Sequence, residues 1–388
     1  MISKNNSLFM RYFLNALIVL LFSGLSSAQV KENIYELNHI ENLLTYDVEQ
    51  IISKRVEGKR VVFLGEAEHH IGSDFLAKTN FVKYLVTELG YTEIAFESDF
   101  FGLYFEHDKK NIFPHWSRVE QCKELFDFLD KNNVTIWGFD NQTHSPYSYY
   151  NFTKKLIDFL NKNSIEFDQS FISSIDAIIK NGPTSNKVLD DSVVDSVILN
   201  LNQLLDNEHI KRDKLWHQFL ESFKSAVLIY TTHSGKKKGI PIRDRQMAKN
   251  LDFLVNNLSD KKIIVWLANA HMAKFEYGFM DGETMGAQFV NLNPNMSYHI
   301  AVSSINMPYR KEKWIKKSSE DEENLLHLLP TTEKNYFIDS TALIDNNPEF
   351  KEKEFEGMFN LRKDKTNWFR LFDALVFISK GERIKYLK

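Results

Sequence analysis

Histidines and carboxylates follow the ends of several apolar segments of this chain, and together they could perform acid–base chemistry. Gly65-Glu66 ends an apolar, β-branched run, and His69 follows three residues after Glu66. Glu97 ends a second apolar run, and His271 follows a third. A histidine with a near-neutral pKa can activate water, a carboxylate can orient that histidine, and a cation or donor can stabilise an oxyanion. This set of residue types supplies each part that an ester hydrolase needs, with His69 as the candidate base.

Further polar residues are expected at the same place. Arg243-Asp244 is predicted to open the helix that leads into a later strand, and Arg243 is a natural partner for the strand-end glutamate at position 97. Such a partner is needed because an unpaired buried carboxylate is costly. Asp140 and His144 follow another predicted strand and are expected to line the pocket, with His70 as a neighbour of the base.

The same residues allow a second interpretation, in which they bind a metal. Glu66, His69, His70, Glu97 and His271 could together ligate zinc or iron, although the spacing of the first two matches no standard zinc helix motif. No cofactor is otherwise expected. The sequence contains neither a G-x-S-x-G nucleophile motif nor a glycine-rich phosphate loop. A metal-dependent hydrolase is therefore the alternative to a metal-independent one.

These residues must be positioned by the elements that precede them. Short apolar runs alternate with helical stretches, which is typical of an α/β domain with a parallel sheet. We predict strands at residues 60–64, 92–96, 134–139, 262–267, 298–302 and 374–379, and a helix at 73–89 that Gly90 closes. Ligand sites of such sheets lie at the carboxyl ends of the strands. The predicted fold is an open, mostly parallel sheet flanked by helices.

The middle of the chain has a helical pattern only. Between about residues 147 and 235, apolar rows such as Val193, Val197, Leu201 and Leu204 recur at helical spacing. Ordinary connections in α/β units are far shorter. We therefore predict a large helical insertion over the site-bearing edge of the sheet. The turn at residues 235–239 is predicted to lead back to the core.

The first 28 residues have the features of a secretory signal. Lys4 and Arg11 precede an apolar run at residues 12–25, and Ser26-Ser27-Ala28 fits a small-residue cleavage site. The run is short for a membrane span. We therefore predict a signal peptide at 1–28, a single α/β domain at 29–388, and a secreted or periplasmic protein without a stable membrane span.

The charge and the cysteine content argue against a nucleic-acid-binding protein and against a protein stabilised by internal disulfides. Signal removal would take away two positive charges, changing the formal net charge from −4 to −6. Such an acidic chain has no electrostatic footprint for nucleic acid. The only cysteine is Cys122, so no internal disulfide can form. The expected partner is a small-molecule ester or lactone.

The site motifs resemble those of the erythromycin esterase family, in order along nearly the whole predicted mature chain. Gly65, Glu66 and His69 match the family's opening Gly-Glu-x-x-His, and Glu97 matches its next strand-end glutamate. Its later Arg-Asp pair matches Arg243-Asp244, and its Asn-x-His matches Asn269 and His271. The similarity implies an α/β core whose helical insertion forms the cleft.

The resemblance also implies a chemistry. Characterised members hydrolyse an ester, a macrolide lactone, by histidine-activated water without a covalent intermediate. His69 would then be the general base, and Glu66 would orient the base or the water. Glu97, Arg243 and His271 would complete the polar cluster.

Three positions depart from the family pattern. Ala268 stands where some members have a histidine, Ser73 where some have a glutamate, and Lys78 where those members have an arginine. Lysine lacks the bidentate fork of arginine. The resemblance places Lys78 and Asn269 beside the substrate, which could be a macrolide or another bulky ester, for example of a polysaccharide or natural product. A third hypothesis is a non-catalytic protein that binds a small molecule or metal on the same fold.

Overall fold

The computed structural model describes residues 32–181, 190–231, 236–278, 282–359 and 363–388, so the predicted signal peptide lies outside the described residues. An eight-stranded sheet runs through this part of the chain in the order β1-β7-β8-β6-β2-β5-β3-β4. The strands are β1 (Ile34–Leu37), β2 (Val61–Glu66), β3 (Glu93–Asp99), β4 (Thr135–Asp140), β5 (Ile263–Ala268), β6 (Ser297–Asn306), β7 (Asn335–Asp339) and β8 (Ala374–Lys380).

The sheet is open and mostly parallel, as predicted. Strands β8, β6, β2, β5, β3 and β4 pair in parallel, whereas β7 pairs antiparallel with both β8 and β1. All six predicted strands are present within the described ranges. Strands β1 and β7 were not predicted. They form the antiparallel edge of the sheet and contain only short apolar runs.

Helices flank the sheet on both faces. The α-helices are α1 (Tyr46–Arg55), α2 (Gly72–Thr87), α3 (Phe100–Phe105), α4 (Pro114–Ser117), α5 (Lys123–Lys131), α6 (Pro146–Lys162), α7 (Gln169–Asn181), α8 (Asp191–Asp206), α9 (Glu208–Arg212), α10 (Lys214–Thr231), α11 (Lys236–Asn257), α12 (Asn269–Met272), α13 (Met285–Leu292), α14 (Glu312–Glu320), α15 (Ser340–Asn346) and α16 (Trp368–Leu371). Short 3-10 helices lie at Ile40–Asn42, Lys109–Asn111, Glu120–Cys122, Leu325–Leu328 and Pro348–Lys351. Among these described helices, none is long and apolar enough to cross a membrane.

Strand β2 shows how the two faces are covered. All six of its residues are buried, which is typical of a parallel strand covered on both faces. Val61 and Phe63 pack in the core that includes α6 to α11, and Val62 and Leu64 pack in the core that includes α1, α2 and α5. The helices between β4 and β5 therefore belong to the core on one face of the sheet, and α11 contacts the sheet at β4. The division into one domain at 29–388 stays a prediction.

One boundary prediction was wrong. Residues 236–239 form the first helical turn of α11 and are not a loop that leads back to the core. Arg243-Asp244 therefore lies inside this helix and not at its start. The helix contains Gly239 and Pro241, which both disfavour helix interiors. The tertiary contacts of the helix outweigh these local preferences.

Candidate active site

Glu66, at the carboxyl end of β2, is the centre of a buried hydrogen-bond cluster. Its Oε1 accepts a hydrogen bond from Trp116 Nε1 at 3.1 Å and lies 2.9 Å from His69 Nδ1. Its Oε2 pairs with the ammonium of Lys78. Because Glu66 is fully buried, its charge is balanced by these groups and not by water. This arrangement is that of a carboxylate that orients a histidine.

Lys78 on α2 is fully buried and pairs with Glu66 from the side that faces away from solvent. Its Nζ donates to the carbonyl of Leu267 at 3.3 Å and lies 3.7 Å from the centre of the Trp266 ring. Burial lowers the pKa of Lys78, and the charge of Glu66 opposes that shift. The structure therefore places Lys78 behind the glutamate and not on the surface where a substrate would lie.

His69 lies in the turn after β2, with 34% of its side chain exposed. When Nδ1 donates to Glu66, Nε2 carries the free lone pair, as a general base requires. The ring stacks on His115 at 4.5 Å between centroids and meets the edge of Trp116 at 5.2 Å. Burial lowers the pKa of His115 to about 3, so His115 stacks on His69 as a neutral ring.

A second cluster surrounds Arg243. Its Nε and Nη2 donate to the two carboxylate oxygens of Asp140 at 3.1 and 2.7 Å, and Nη2 also donates to Glu97 Oε1 at 2.7 Å. The remaining Nη1 lies 3.3 Å from His271 Nε2. The guanidinium thus joins the ends of β3 and β4 to helix α11, which reaches over the carboxyl edge of the sheet.

His271 and Glu97 shift each other's pKa within this cluster. His271 Nδ1 lies 2.8 Å from Asp244 Oδ1, whose other oxygen accepts from the amide of Met285 at 2.9 Å. Burial disfavours the charged form of His271, but Asp244 and Glu97 outweigh it and raise its pKa. Burial would raise the pKa of Glu97, but the positive charges of His271 and Arg243 hold it well below its usual value.

The two clusters meet at Ala268. This residue pairs in register with Glu66, and its amide donates to Glu97 Oε2 at 3.0 Å. Strand β5 lies between β2 and β3, so the backbones of the two glutamates are about 10 Å apart at the usual strand spacing. The register shift between Phe96 and Asp99 lies at this strand end. Both clusters therefore face one crevice.

Most of the other predicted site residues support the site from outside the crevice. Asp140 and Asp244 are fully buried behind Arg243 and His271, and Asn269 is fully buried, with its side-chain amide donating to the carbonyl of Val302 at 2.8 Å. His70 is exposed beside the base. These positions fit roles in orientation for the first three residues better than direct contact with a substrate.

His144 lies at the rim next to an aromatic wall. Its ring stacks on Phe113 at 3.6 Å, with 2° between the planes, and Phe113 stacks in turn on His115. Nδ1 lies 2.9 Å from the carbonyl of Gln142, and burial lowers the pKa of His144. The wall continues to His69 through the stacked ring of His115.

Two residues that hold Glu66 or the turn after it, Trp116 and Asp74, were not among the predicted site residues. Trp116, which donates to Glu66, lies in a four-residue helix far from the strand ends, and its type alone gives no signal. Asp74 accepts from the amide of Ala67 at 3.2 Å and from Ser304 Oγ at 2.6 Å. Aspartate is common in the first turn of a helix, so its position in α2 did not by itself indicate that Asp74 is buried and holds the turn after β2.

The two carboxylates proposed as metal ligands form ion pairs with the protein's own cations. Within the described ranges, no three histidine, cysteine, aspartate or glutamate side chains come together as a metal site. The carboxylates of Glu66 and Glu97 instead face Lys78 and Arg243. The geometry therefore gives no candidate set of metal ligands in this part of the chain.

Comparisons with known proteins connect this site to a family. A family model described as erythromycin esterase matches residues 86–304, more than half of the chain. The matched segment contains Glu97, Asp140, Arg243 and His271, and it begins after His69. The second cluster therefore lies wholly within the region that the family model recognises.

Two relatives extend over most of the chain. A putative hydrolase of Bacillus subtilis, YbfO, is 25% identical over 293 residues, which span 65% of this chain and 64% of the relative. The erythromycin esterase type II of Escherichia coli is 24% identical over 313 residues, which span 66% of this chain and 71% of the relative. The chain thus spans slightly less than two thirds of the B. subtilis protein.

Solved structures share the fold. A Bacillus cereus protein has a TM-score of 0.75 at 18% identity and covers 94% of this chain and 99% of its own. A succinoglycan biosynthesis protein has a TM-score of 0.72 at 15% identity, covering 94% and 98%. A mutant of the erythromycin esterase EreC in its open conformation has a TM-score of 0.62 at 16% identity, covering 90% and 98%. The predicted resemblance to the erythromycin esterase family is confirmed, and the chain belongs to this family of hydrolases.

Proposed function

We propose that this protein is an exported hydrolase of carboxylic esters or lactones in which His69 activates water. The observation that carries the proposal is the pairing of a partly exposed histidine with a fully buried carboxylate, Glu66, through Nδ1. Membership of a hydrolase family supports the reaction type. The predicted signal at residues 1–28 supports the location.

The proposed reaction needs no bond between substrate and protein. Nε2 of His69 removes a proton from water while the water oxygen bonds to the carbonyl carbon and the carbonyl electron pair moves to oxygen. Collapse of this tetrahedral species breaks the bond to the alcohol oxygen, which receives the proton from the imidazolium. Glu66 stabilises the imidazolium while it exists. The products are a carboxylic acid and an alcohol, or a hydroxy acid from a lactone.

The Arg243 cluster would stabilise the negative charge that develops on the carbonyl oxygen. Arg243 and His271 are the cationic groups of the crevice, and their side chains retain 15% and 11% exposure. The raised pKa of His271 favours its protonated form, whose positive charge adds to that of the Arg243 N–H donors beside it. Preorganised donors of this kind often give the largest catalytic contribution.

The proposed substrate is a macrolide lactone or another bulky ester. The E. coli relative is named as an erythromycin esterase, so a macrolide lactone is one proposed substrate. Other bulky esters, including those of polysaccharides and natural products, are equally consistent with the substitutions at Ser73, Lys78 and Ala268.

A hydrolysis screen tests the proposal. Purified mature protein, with and without EDTA, is incubated with erythromycin and a panel of p-nitrophenyl esters, and products are followed by mass spectrometry. A water-addition product that survives EDTA and falls about 10²–10⁴-fold in His69→Ala is expected. Activity in His69→Ala above about a tenth of wild type would contradict the role of His69.

Two further outcomes separate the alternatives. Loss of activity with EDTA and its recovery with added Zn²⁺ would indicate a metal-dependent hydrolase. Tight binding of a panel compound by both wild type and His69→Ala, without turnover in either, would indicate a binding protein. A single turnover in ¹⁸O-labelled water, with enzyme in excess, should place the label in the product acid; an unlabelled product would indicate attack by a protein carboxylate.

A further inference from the structure

The segment at residues 381–388, which we call the strap, crosses the turn that carries His69. After β8 the main chain of the strap pairs with this turn: the Gly72 amide donates to the Glu382 carbonyl at 2.8 Å, and the Ile384 amide donates to the His70 carbonyl at 3.1 Å. The Glu382 amide also donates to Ser73 Oγ at 2.8 Å. The strap therefore holds His70, the residue directly after His69, and the start of α2.

The strap also holds the segment that carries Trp116. The Glu120 amide donates to the Lys385 carbonyl at 2.8 Å, and the Leu387 amide donates to the Arg118 carbonyl at 2.8 Å. Trp116 lies two residues before Arg118 and supplies a hydrogen bond to Glu66. One segment thus joins both parts of the chain that contact the Glu66–His69 pair.

Gln121 is the side chain that fastens the strap. It is buried, and its Nε2 donates to Glu382 Oε1 at 2.9 Å and to the Arg383 carbonyl at 3.3 Å. Its Oε1 accepts from the Lys385 amide at 3.0 Å. A Cβ at Gly72 would lie 2.7 Å from this side chain, so the close fit needs glycine there.

Asp74 holds the same turn from the inside. It accepts from the Ala67 amide, one residue after Glu66, and from Ser304 on β6. Within the turn itself, the Ile71 amide donates to the Glu68 carbonyl at a longer 3.3 Å. The position of His69 therefore depends on contacts from both sides, of which those from the outside belong to the strap.

We propose that the strap is a positioning element that keeps the His69 turn and the Trp116 segment aligned on Glu66. The inference rests on the proposed function of His69 as the base. A displacement of a catalytic group by about 1 Å can cost about 10²-fold in rate. The strap contacts no reacting atom, so its effect is on the geometry of the base and not on the chemistry.

Removal of residues 381–388 is the direct test. Hydrogen–deuterium exchange should become faster in peptides covering 67–73 and 114–121, while the central strands β3 and β5 keep their protection. With p-nitrophenyl acetate as the probe, kcat should fall at least about tenfold while KM changes by less than about threefold. Far-UV circular dichroism establishes that the truncated chain is folded.

Point variants keep the test valid if the truncated chain does not fold. Gln121→Met keeps the side-chain volume and removes all three hydrogen bonds, so it should reproduce the faster exchange and part of the loss in kcat. Lys385→Ala is the matched control, because the main chain of Lys385 makes its contacts with Gln121 and Glu120, while its side chain is largely exposed and makes only a long surface ion pair with Glu382 at 3.8 Å. It should leave both measurements unchanged.

The outcomes separate this inference from the proposed function. Unchanged exchange at 67–73 in the truncated chain, or in Gln121→Met where truncation prevents folding, overturns the role of the strap. If exchange is faster in the variants but the wild type hydrolyses no ester, the strap does hold the turn and the esterase proposal is contradicted. Faster exchange without loss of kcat in an active enzyme would show that the strap has no catalytic consequence.

Discussion

Lys78 and Glu66 form a buried ion pair whose removal should affect stability and activity in different ways. Both side chains are fully buried. Breaking such a pair by removing one partner typically costs about 3–5 kcal/mol, because the remaining charge is left without compensation. Lys78→Met should therefore lower the free energy of unfolding by about this amount.

The double variant Glu66→Gln/Lys78→Met separates the two effects. Replacing a whole buried ion pair with neutral side chains is often nearly neutral for stability. The double variant should therefore recover most of the stability that Lys78→Met loses. Activity should not recover, because a glutamine at position 66 carries no charge to stabilise the His69 imidazolium.

Urea unfolding at 25 °C measures the stability of each variant, and initial rates with p-nitrophenyl acetate measure activity. Lys83→Met is the matched control, since Lys83 lies on the same helix and pairs with Glu124 at the surface. It should cost no more than about 1 kcal/mol. The reasoning would be refuted if Lys78→Met cost no more stability than this control. It would also be refuted if the stability losses of Glu66→Gln and Lys78→Met, measured singly, summed to the loss in the double variant.

Three further predictions concern the crevice and its supports. Arg243→Lys cannot bridge two carboxylates with a planar fork, so initial ester-hydrolysis rates should fall at least about tenfold with the fold retained. Burial raises the pKa of Asp74 to about 7, so wild type should lose stability relative to Asp74→Asn as pH rises from about 4 through 7; urea unfolding at pH 5 and pH 8 that gave the same difference would contradict this. Gly65→Ala would press a Cβ into Asn269 Oδ1 and should cost about 1–3 kcal/mol in thermal unfolding, whereas Gly278→Ala, which meets no neighbour, is its control.

The central strands could be predicted from the sequence because burial on both faces requires long apolar runs. Strand β5 is apolar throughout, and β2 is apolar until Gly65-Glu66. The edge strand β1 has four residues, of which two are buried, and its pairing with β7 depends on a segment about 300 residues away. Short edge strands carry too few apolar residues to be distinguished from loops by pattern alone.

The residues of the candidate site could be predicted where they follow a strand end. Glu66, His69, Glu97 and His271 lie near one another because parallel strands end at the same edge of the sheet. Their pairing could not be predicted, because residue spacing does not determine which cation meets which carboxylate. The contact between Lys78 and Glu66 depends instead on how α2 packs beneath the crevice.

The strap has a consequence for how the sequence of this chain can vary. It meets the His69 turn and the Trp116 segment mainly through main-chain atoms, so many different side chains could support the same geometry. A constraint of this kind leaves little trace in an alignment, and the recognised family segment ends at residue 304, well before the strap. Proline is the residue that selection should exclude at 381, 382, 384, 385 and 387, where the amide is a donor.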